Sequence, residues 1–282
     1  MKVTVTGGAG ELGQFVVRDL IEHGYEVVSV DQRIIKDAPY KQIVADLSDL
    51  GQIYGCISGS DAIIHLGAIR APGANPNEVV FRNNVMGTFN VFEAAACLNL
   101  KRVVWASSIN VLGFGFAYRK FSPVYLPIDE NHPNLPQDCY GLSKLVGEEI
   151  AAAFTRRTEI PCVSLRFTWI GNDELYLKYL PGIWKDPGSW RVALWGFVDA
   201  RDAATACRLS LESEIDGHES MYIGADTTIM KIPSMDLIQE YFPDSEVRKE
   251  IKGTSSLFDC RKAKRILGFQ PKHHWKDLRD LQ

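Results

Sequence analysis

The sequence predicts an α/β protein organised on a doubly wound parallel sheet, and three observations carry that prediction. Short apolar runs alternate with stretches of helical periodicity from residue 2 to residue 167, the pattern of a parallel sheet covered on both faces. The first run, residues 2–5, leads straight into Thr6-Gly7-Gly8-Ala9-Gly10-Glu11-Leu12-Gly13, so that strand, glycines and helix follow one another without a gap. Beyond Thr168 the rhythm changes, and tryptophans at 169, 184, 190 and 195 stand among Gly and Pro. That break points to a segment facing a substrate.

A glycine pattern alone is common, but strand, glycines and helix in succession form a pyrophosphate cradle. Gly7 permits the tight turn, Gly10 lets a phosphate approach the backbone, and Gly13 lets the helix pack closely on the strand. The helix start offers unpaired N–H groups and partial positive charge at that place. Leu12, Phe15, Val16, Asp19 and Leu20 fall near one face of the helix, a stripe broken mainly by Asp19.

Residues 25–31 form a second strand ending in Asp31, eighteen positions beyond Gly13. A carboxylate there accepts both ribose hydroxyls of an adenosine and repels a 2′-phosphate, so NAD is expected rather than NADP. Gln32 beside it is a further candidate contact. Arg33 argues the other way, since a guanidinium could hold that phosphate; it is read as solvent-facing. Residues 42–47 read as a third strand. Asp46 at its end is placed either to meet the adenine amino group or to cap the next helix through Ser48 and Asp49, and Leu47 is a candidate cofactor contact.

Residues 61–68 form a fourth strand that ends in Leu66, Gly67 and Ala68, small enough for backbone to pass near a ligand. His65 lies inside its apolar run and is read as a packed core histidine. After a loop, a helix over 77–98 places Asn84 on its buried side, where the amide needs a partner and is a candidate brace for the site. Residues 101–108 are the fifth strand, ending in two hydroxyls. A long loop over 113–136 can fold over a site, a helix runs from 137 to about 157, and 161–167 is the sixth strand, ending in Phe167. A further helix starts near 198 and a seventh strand covers 221–224.

At 282 residues and a formal net charge of −4, the chain is an ordinary globular protein with no expected affinity for nucleic acid or an anionic membrane. No apolar run is long enough to span a bilayer, and the first strand begins too early for a cleavable leader, so a cytoplasmic location is expected. The six cysteines lack any Cys-x-x-Cys pair, which fits reduced thiols, and no metal site is expected.

Tyr140 and Lys144 stand four apart on the helix that starts near 137, so their side chains share one face. A free phenol is a poor base at neutral pH, and a neighbouring ammonium favours the phenolate. Lys144 can supply that field and also bond the nicotinamide ribose. Ser108, at the carboxyl end of the fifth strand, is placed to hydrogen-bond a substrate oxygen. Together they can take a proton from an alcohol as hydride leaves its carbon, and return it.

With Thr6 to Gly13, Asp31, Asp46-Leu47, His65 to Ala68, Asn84 to Thr88, Ser107 to Gly113, Tyr140 to Lys144 and Leu165-Arg166 on the page, the sequence resembles the extended short-chain dehydrogenase/reductases, the NAD-dependent epimerase/dehydratase family. The resemblance runs over essentially the whole chain. It implies a Rossmann sheet of about seven parallel strands, a small C-terminal substrate lobe, tightly held NAD, a Ser108–Tyr140–Lys144 catalytic set and a homodimer through two long helices. On that pattern residues 1–167 form the NAD-binding domain, completed by about 198–224, and residues 168–197 with 225–282 form the lobe.

Departures from the family pattern narrow the chemistry. Its sugar-nucleotide dehydratases follow the catalytic hydroxyl with an Asp-Glu pair; here Ile109 and Asn110 follow Ser108, which disfavours dehydration and makes both candidate substrate contacts. Its nucleotide-sugar epimerases carry a longer insertion after the sixth strand than residues 168–197 provide. The compact organisation is similar to uronate dehydrogenases of the family, which hold a carboxylate with an arginine. Arg191 matches that clamp, or else pairs with Asp186 or Glu174 at the surface; Arg166 is read as structural. The expected function is oxidation of a hydroxyl on a small sugar or sugar acid by NAD. The rivals are a nucleotide-sugar epimerase with tightly held NAD and a non-catalytic NAD-binding sensor.

Overall fold

The computed structural model describes residues 1–278. In chain order its first half runs β1 (Lys2–Thr6), α1 (Glu11–Glu22), β2 (Glu26–Asp31), β3 (Lys41–Val44), α2 (Leu50–Ile57), β4 (Ala62–His65), α3 (Asn77–Cys97), β5 (Arg102–Ser108) and β6 (Tyr125–Leu126). The second half runs α4 (Cys139–Thr158), β7 (Cys162–Phe167), β8 (Trp169–Gly171), α5 (Asp173–Lys185), β9 (Phe197–Asp199), α6 (Ala200–Glu212), β10 (His218–Ile223), α7 (Ser234–Tyr241), β11 (Glu246–Val247) and α8 (Arg261–Leu267).

Seven of these strands make one parallel sheet in the order β10-β7-β5-β4-β1-β2-β3. The chain winds outward from β1 to β3, then crosses back to lay β4 on the other side of β1. That reversal opens a crevice at the carboxyl ends of β1 and β4, where ligands bind in open α/β sheets.

Successive residues of a strand point to opposite faces, and both faces of this sheet are covered. Ile64 and Val104 pack with Val16, Val17 and Leu20 of α1 and Ala203 and Cys207 of α6. Their neighbours Ile63 and Val103 join Ile53 of α2, Phe92 and Ala95 of α3 and Phe154 of α4. This is why the strands read as continuous apolar runs rather than alternating ones. A third core gathers Tyr176, Leu180 and Ile183 of α5 with Phe197, Leu237, Leu257 and Trp275, and takes in Val111, Leu112, Phe114, Leu126 and Ile128 from the segment after β5.

Two local expectations change. On α1 the fully buried face is Gly13, Val16, Val17 and Leu20. Asp19 stays at its edge because Arg208 of α6 holds its carboxylate at 2.8 Å, which lets an acid sit beside the stripe. The stretch 168–197, read as irregular, contains α5, a helix of 13 residues. Its signals are ordinary: Asn172 caps the Leu175 N–H, Asp173 and Glu174 fill the first turn, and Tyr176, Leu180 and Ile183 repeat at helical spacing. Pro181 inside the helix, normally a breaker, obscures them; it lies on the exposed side.

Arg166 is structural, as expected. Its guanidinium grips the Glu148 carboxylate in a fork, Nε at 2.8 Å and Nη2 at 2.7 Å, with the Ser107 hydroxyl donating to the same carboxylate and Arg166 donating on to Tyr222. His65 is likewise a core residue, its ring held between the hydroxyls of Thr6 and Thr88 and its basicity pushed down to about 3 by burial.

Candidate active site

A cleft of about 1240 Å³ runs along the carboxyl ends of β1, β2, β4, β5 and β7 and opens toward α5. Its floor at one end is the glycine turn. Gly7 has φ of +70°, a conformation L side chains rarely adopt. A Cβ on Gly13 would stand 2.1 Å from the Gly7 carbonyl oxygen, so the helix meets the turn at a distance only glycine allows. The first turn of α1 also lacks any side-chain cap, as do those of α3, α7 and α8, but only α1 starts at the glycine turn. Free N–H groups at the glycine turn suit a pyrophosphate. Gly13→Ala is therefore expected to weaken NAD binding at least about tenfold, or about 1.4 kcal/mol, by calorimetric titration.

Beside the turn, the Asp31 carboxylate accepts from the N–H of Ala9 at 3.0 Å and of Gln32 at 2.8 Å, which aims it along the cleft wall. Arg33 is exposed but does not simply face solvent: it lines the cleft and donates to the Ala9 carbonyl at 3.2 Å. Of the other residues expected to contact cofactor, Gly7, Gly10, Glu11, Leu12, Gly13, Gln32, Leu47, Leu66, Gly67, Ala68, Tyr140, Lys144 and Phe167 all line the cleft. Asp46 and Asn84 stand outside its wall. Asp46 accepts from the Ser48 N–H and hydroxyl in a local turn, and Asp49 rather than Asp46 caps α2. Asn84 braces the main chain after β4, accepting from Ile69 N–H and donating to its carbonyl, and donates also to Ser143 on α4.

At the far side Ser108 ends β5, and its hydroxyl accepts from the Asn110 N–H as the chain enters a 3₁₀ turn over Ile109–Leu112. Ile109 and Asn110 line the cleft with it. Tyr140 and Lys144 come from the first turns of α4, which Asp138 fixes by accepting from the N–H groups of Tyr140 and Gly141. Asp138 was signalled in the sequence only as an N-cap residue type directly before a helix.

The electrostatics differ from expectation. Burial pushes the Tyr140 phenol above its ordinary value; the facing Ser108 hydroxyl opposes that rise, Asp138 adds to it, and the positive charge of Arg70 opposes it. The Lys144 ammonium, expected to lower the phenol, instead donates to the Ala106 carbonyl at 2.6 Å and lies 5.7 Å from the centre of the Tyr140 ring. Burial brings Lys144 itself down to about 8, against the field of Glu148 one turn further on. The physical reason is depth: both groups are almost out of water, so desolvation outweighs their mutual field.

Phe116, Leu175 and Tyr179 line the cleft without a functional reading from the sequence, whereas Trp169 and Trp190 lie in the segment read as facing a substrate. Phe116 from the loop after β5 sets its ring edge-on to Tyr140 with centroids 6.2 Å apart. Trp169 and Trp190 meet edge to face at 5.4 Å, with Leu175 and Tyr179 of α5 beside them. The Trp190 indole N–H is buried and without an acceptor among the described residues. Arg191 does not line the cleft, although Ser189, Trp190, Val192 and Ala193 around it do, and no ion pair joins it to Asp186 or Glu174 among the described residues. Between Phe167 and Ala200 the described lining contains no charged side chain.

The glycine turn, the Asp31 carboxylate at the end of β2, and the buried Tyr140 phenol with Ser108 and Lys144 all line this one cleft. The model of the family described as "NAD dependent epimerase/dehydratase family" matches residues 3–224. The chain belongs to that family. Its cofactor is NAD, which the glycine turn, the uncapped α1 and Asp31 fit. Among curated relatives of this epimerase/dehydratase member, a uronate dehydrogenase of Pseudomonas putida is 30% identical over 218 residues, covering 71% of this chain and 77% of its own. An L-arabinose 1-dehydrogenase (NAD(P)(+)) of Haloferax volcanii is 25% identical and covers 82% and 94%. A solved short-chain dehydrogenase/reductase superfamily protein of Agrobacterium tumefaciens with bound NAD shares the fold, with a TM-score of 0.75 at 23% identity over 98% of this chain and 94% of its own. Among the described residues no helix is long and apolar enough to cross a membrane.

Proposed function

We propose that this protein is an NAD-dependent oxidoreductase that acts on a hydroxyl of a free small sugar or sugar acid. The observation that carries the reading is the uncharged, aromatic wall from Phe167 to Ala200, which offers a sugar ring faces to stack on but no cation to grip a nucleoside diphosphate. The similarity to the uronate and arabinose dehydrogenases supports it from outside the structure. NAD, when bound, supplies a hydride acceptor. Ser108 hydrogen-bonds the substrate oxygen, Tyr140 in its phenolate form receives the hydroxyl proton as hydride leaves and the carbonyl forms, and Lys144 holds positive charge beneath the phenolate and donates toward the ribose. Ile109 and Asn110 shape the floor beside the reacting carbon.

The cofactor-binding unit on this reading is residues 1–167 with about 198–224, and residues 168–197 and 225–282 form the substrate lobe. Exposed Met86 and Phe89 on α3 and Leu142 on α4 support a homodimer formed by those helices, and we place the enzyme in the cytoplasm. A thermal-shift screen of the NAD-saturated protein tests the substrate class, since a specific ligand raises the melting point by mass action. Free aldoses or uronates are expected to shift it; stabilisation by UDP- or GDP-sugars alone refutes the reading. Asp31→Ser is expected to raise kcat/KM with NADP relative to NAD on the order of tenfold, as about 1.4 kcal/mol of like-charge repulsion is removed and Arg33 remains in reach.

A further inference from the structure

Arg191 was expected to hold a substrate carboxylate, and the cleft wall leaves it out. Three cations do line the described cleft: Arg33, Arg70 and Lys144. Arg33 is bonded to the Ala9 carbonyl beside Asp31, at the adenosine side, and Lys144 to the Ala106 carbonyl beneath the phenol. Arg70 is different. It follows the small residues that end the β4 segment, and its field reaches the Tyr140 phenol. Its ion partner is Glu11, and the two side chains are 74% and 59% exposed, so the pair is weakly held.

We propose that Arg70 recognises a carboxylate on the substrate, exchanging Glu11 for it. This rests on the sugar-oxidation reading and narrows it to anionic sugars. The base of Arg70 is rigid, because Asn84 binds both the N–H and the carbonyl of Ile69 beside it, while the guanidinium is held by the exposed Glu11 carboxylate. Glu11 sits in the first turn of α1, where a diphosphate would repel its carboxylate and loosen the pair. A released guanidinium presents two parallel N–H groups, the geometry that takes a carboxylate in a fork. Arg70, Tyr140, Trp169 and Trp190 line one cleft, so an anion held by Arg70 leaves the rest of the ring to meet the two indoles.

The test compares a free hexuronate with the neutral hexose of the same stereochemistry, using wild-type protein, Arg70→Gln and Arg70→Lys. Arg70→Gln is expected to lower the ratio of kcat/KM for hexuronate to that for hexose by roughly 10- to 100-fold, the scale of a charge-assisted hydrogen bond. Arg70→Lys keeps the charge without the fork and is expected to restore part of the ratio. Calorimetric titration of the same variants with NAD separates the other role open to this side chain. An unchanged ratio, or losses on both sugars that follow a weaker NAD affinity, overturns the assignment. A wild-type enzyme that oxidises hexoses but neither binds nor oxidises hexuronates overturns it too, and leaves the sugar-oxidation reading standing. Turnover of neither class by the wild type removes the broader reading.

Discussion

Tyr140→Phe is expected to lower kcat by about 10²–10⁴-fold while NAD still binds, measured by steady-state kinetics beside calorimetric titration. The substitution removes one oxygen and leaves the ring against Phe116 in place. Three groups bear on that oxygen: Ser108 and Arg70 favour the phenolate, and Asp138 disfavours it. The Lys144 ammonium beside it is bonded to a main-chain carbonyl and does not stand in for the phenol. Burial raises the phenol, so the rate of alcohol oxidation in the wild type should climb with pH until Lys144, brought down to about 8, begins to lose its charge. A variant that keeps near-wild-type kcat would place the proton transfer elsewhere.

Arg166→Met is expected to cost about 3–5 kcal/mol of stability, read as a lower denaturation midpoint, because it strands the Glu148 carboxylate out of water. The two side chains are 4% and 7% exposed, and the fork between β7 and α4 is closed by Ser107 and Tyr222. The double change Arg166→Met with Glu148→Leu is expected to recover much of that loss, since a buried ion pair replaced by apolar groups often costs little. Glu148 also stands one helical turn beyond Lys144, so in the double variant Lys144 should lose its charge at lower pH than in the wild type.

Much of the fold was legible because its signals are local. The glycine turn follows a buried strand, the strands are continuous apolar runs, and Asp31 falls at a strand end; each follows from residues a few positions apart. The cleft end at Ser108, Tyr140 and Lys144 was legible for a related reason, since strand ends and helical spacing alone bring those three to one wall. What stayed hidden depends on contacts between distant segments. Phe116 reaches Tyr140 from an aperiodic loop, and Arg70 acquires meaning only beside Glu11 and the phenol. Helix α5 was hidden by Pro181 despite its Asn172 cap. The side of a tryptophan-rich turn on which Arg191 stands has no periodicity to fix it. The balance of charge at Tyr140 was misjudged because the spacing to Lys144 shows proximity but not depth of burial.

The central claim is that this cleft carries hydride from a free sugar to NAD, with the Tyr140 phenolate taking the proton. Mixing the NAD-loaded enzyme with a free hexuronate or aldose and following the near-ultraviolet absorbance of NADH tests it directly. The account predicts net NADH formation with a free sugar, abolished in Tyr140→Phe. Conversion of a nucleotide sugar to its epimer with no net NADH, and no absorbance change with any free sugar, would contradict it.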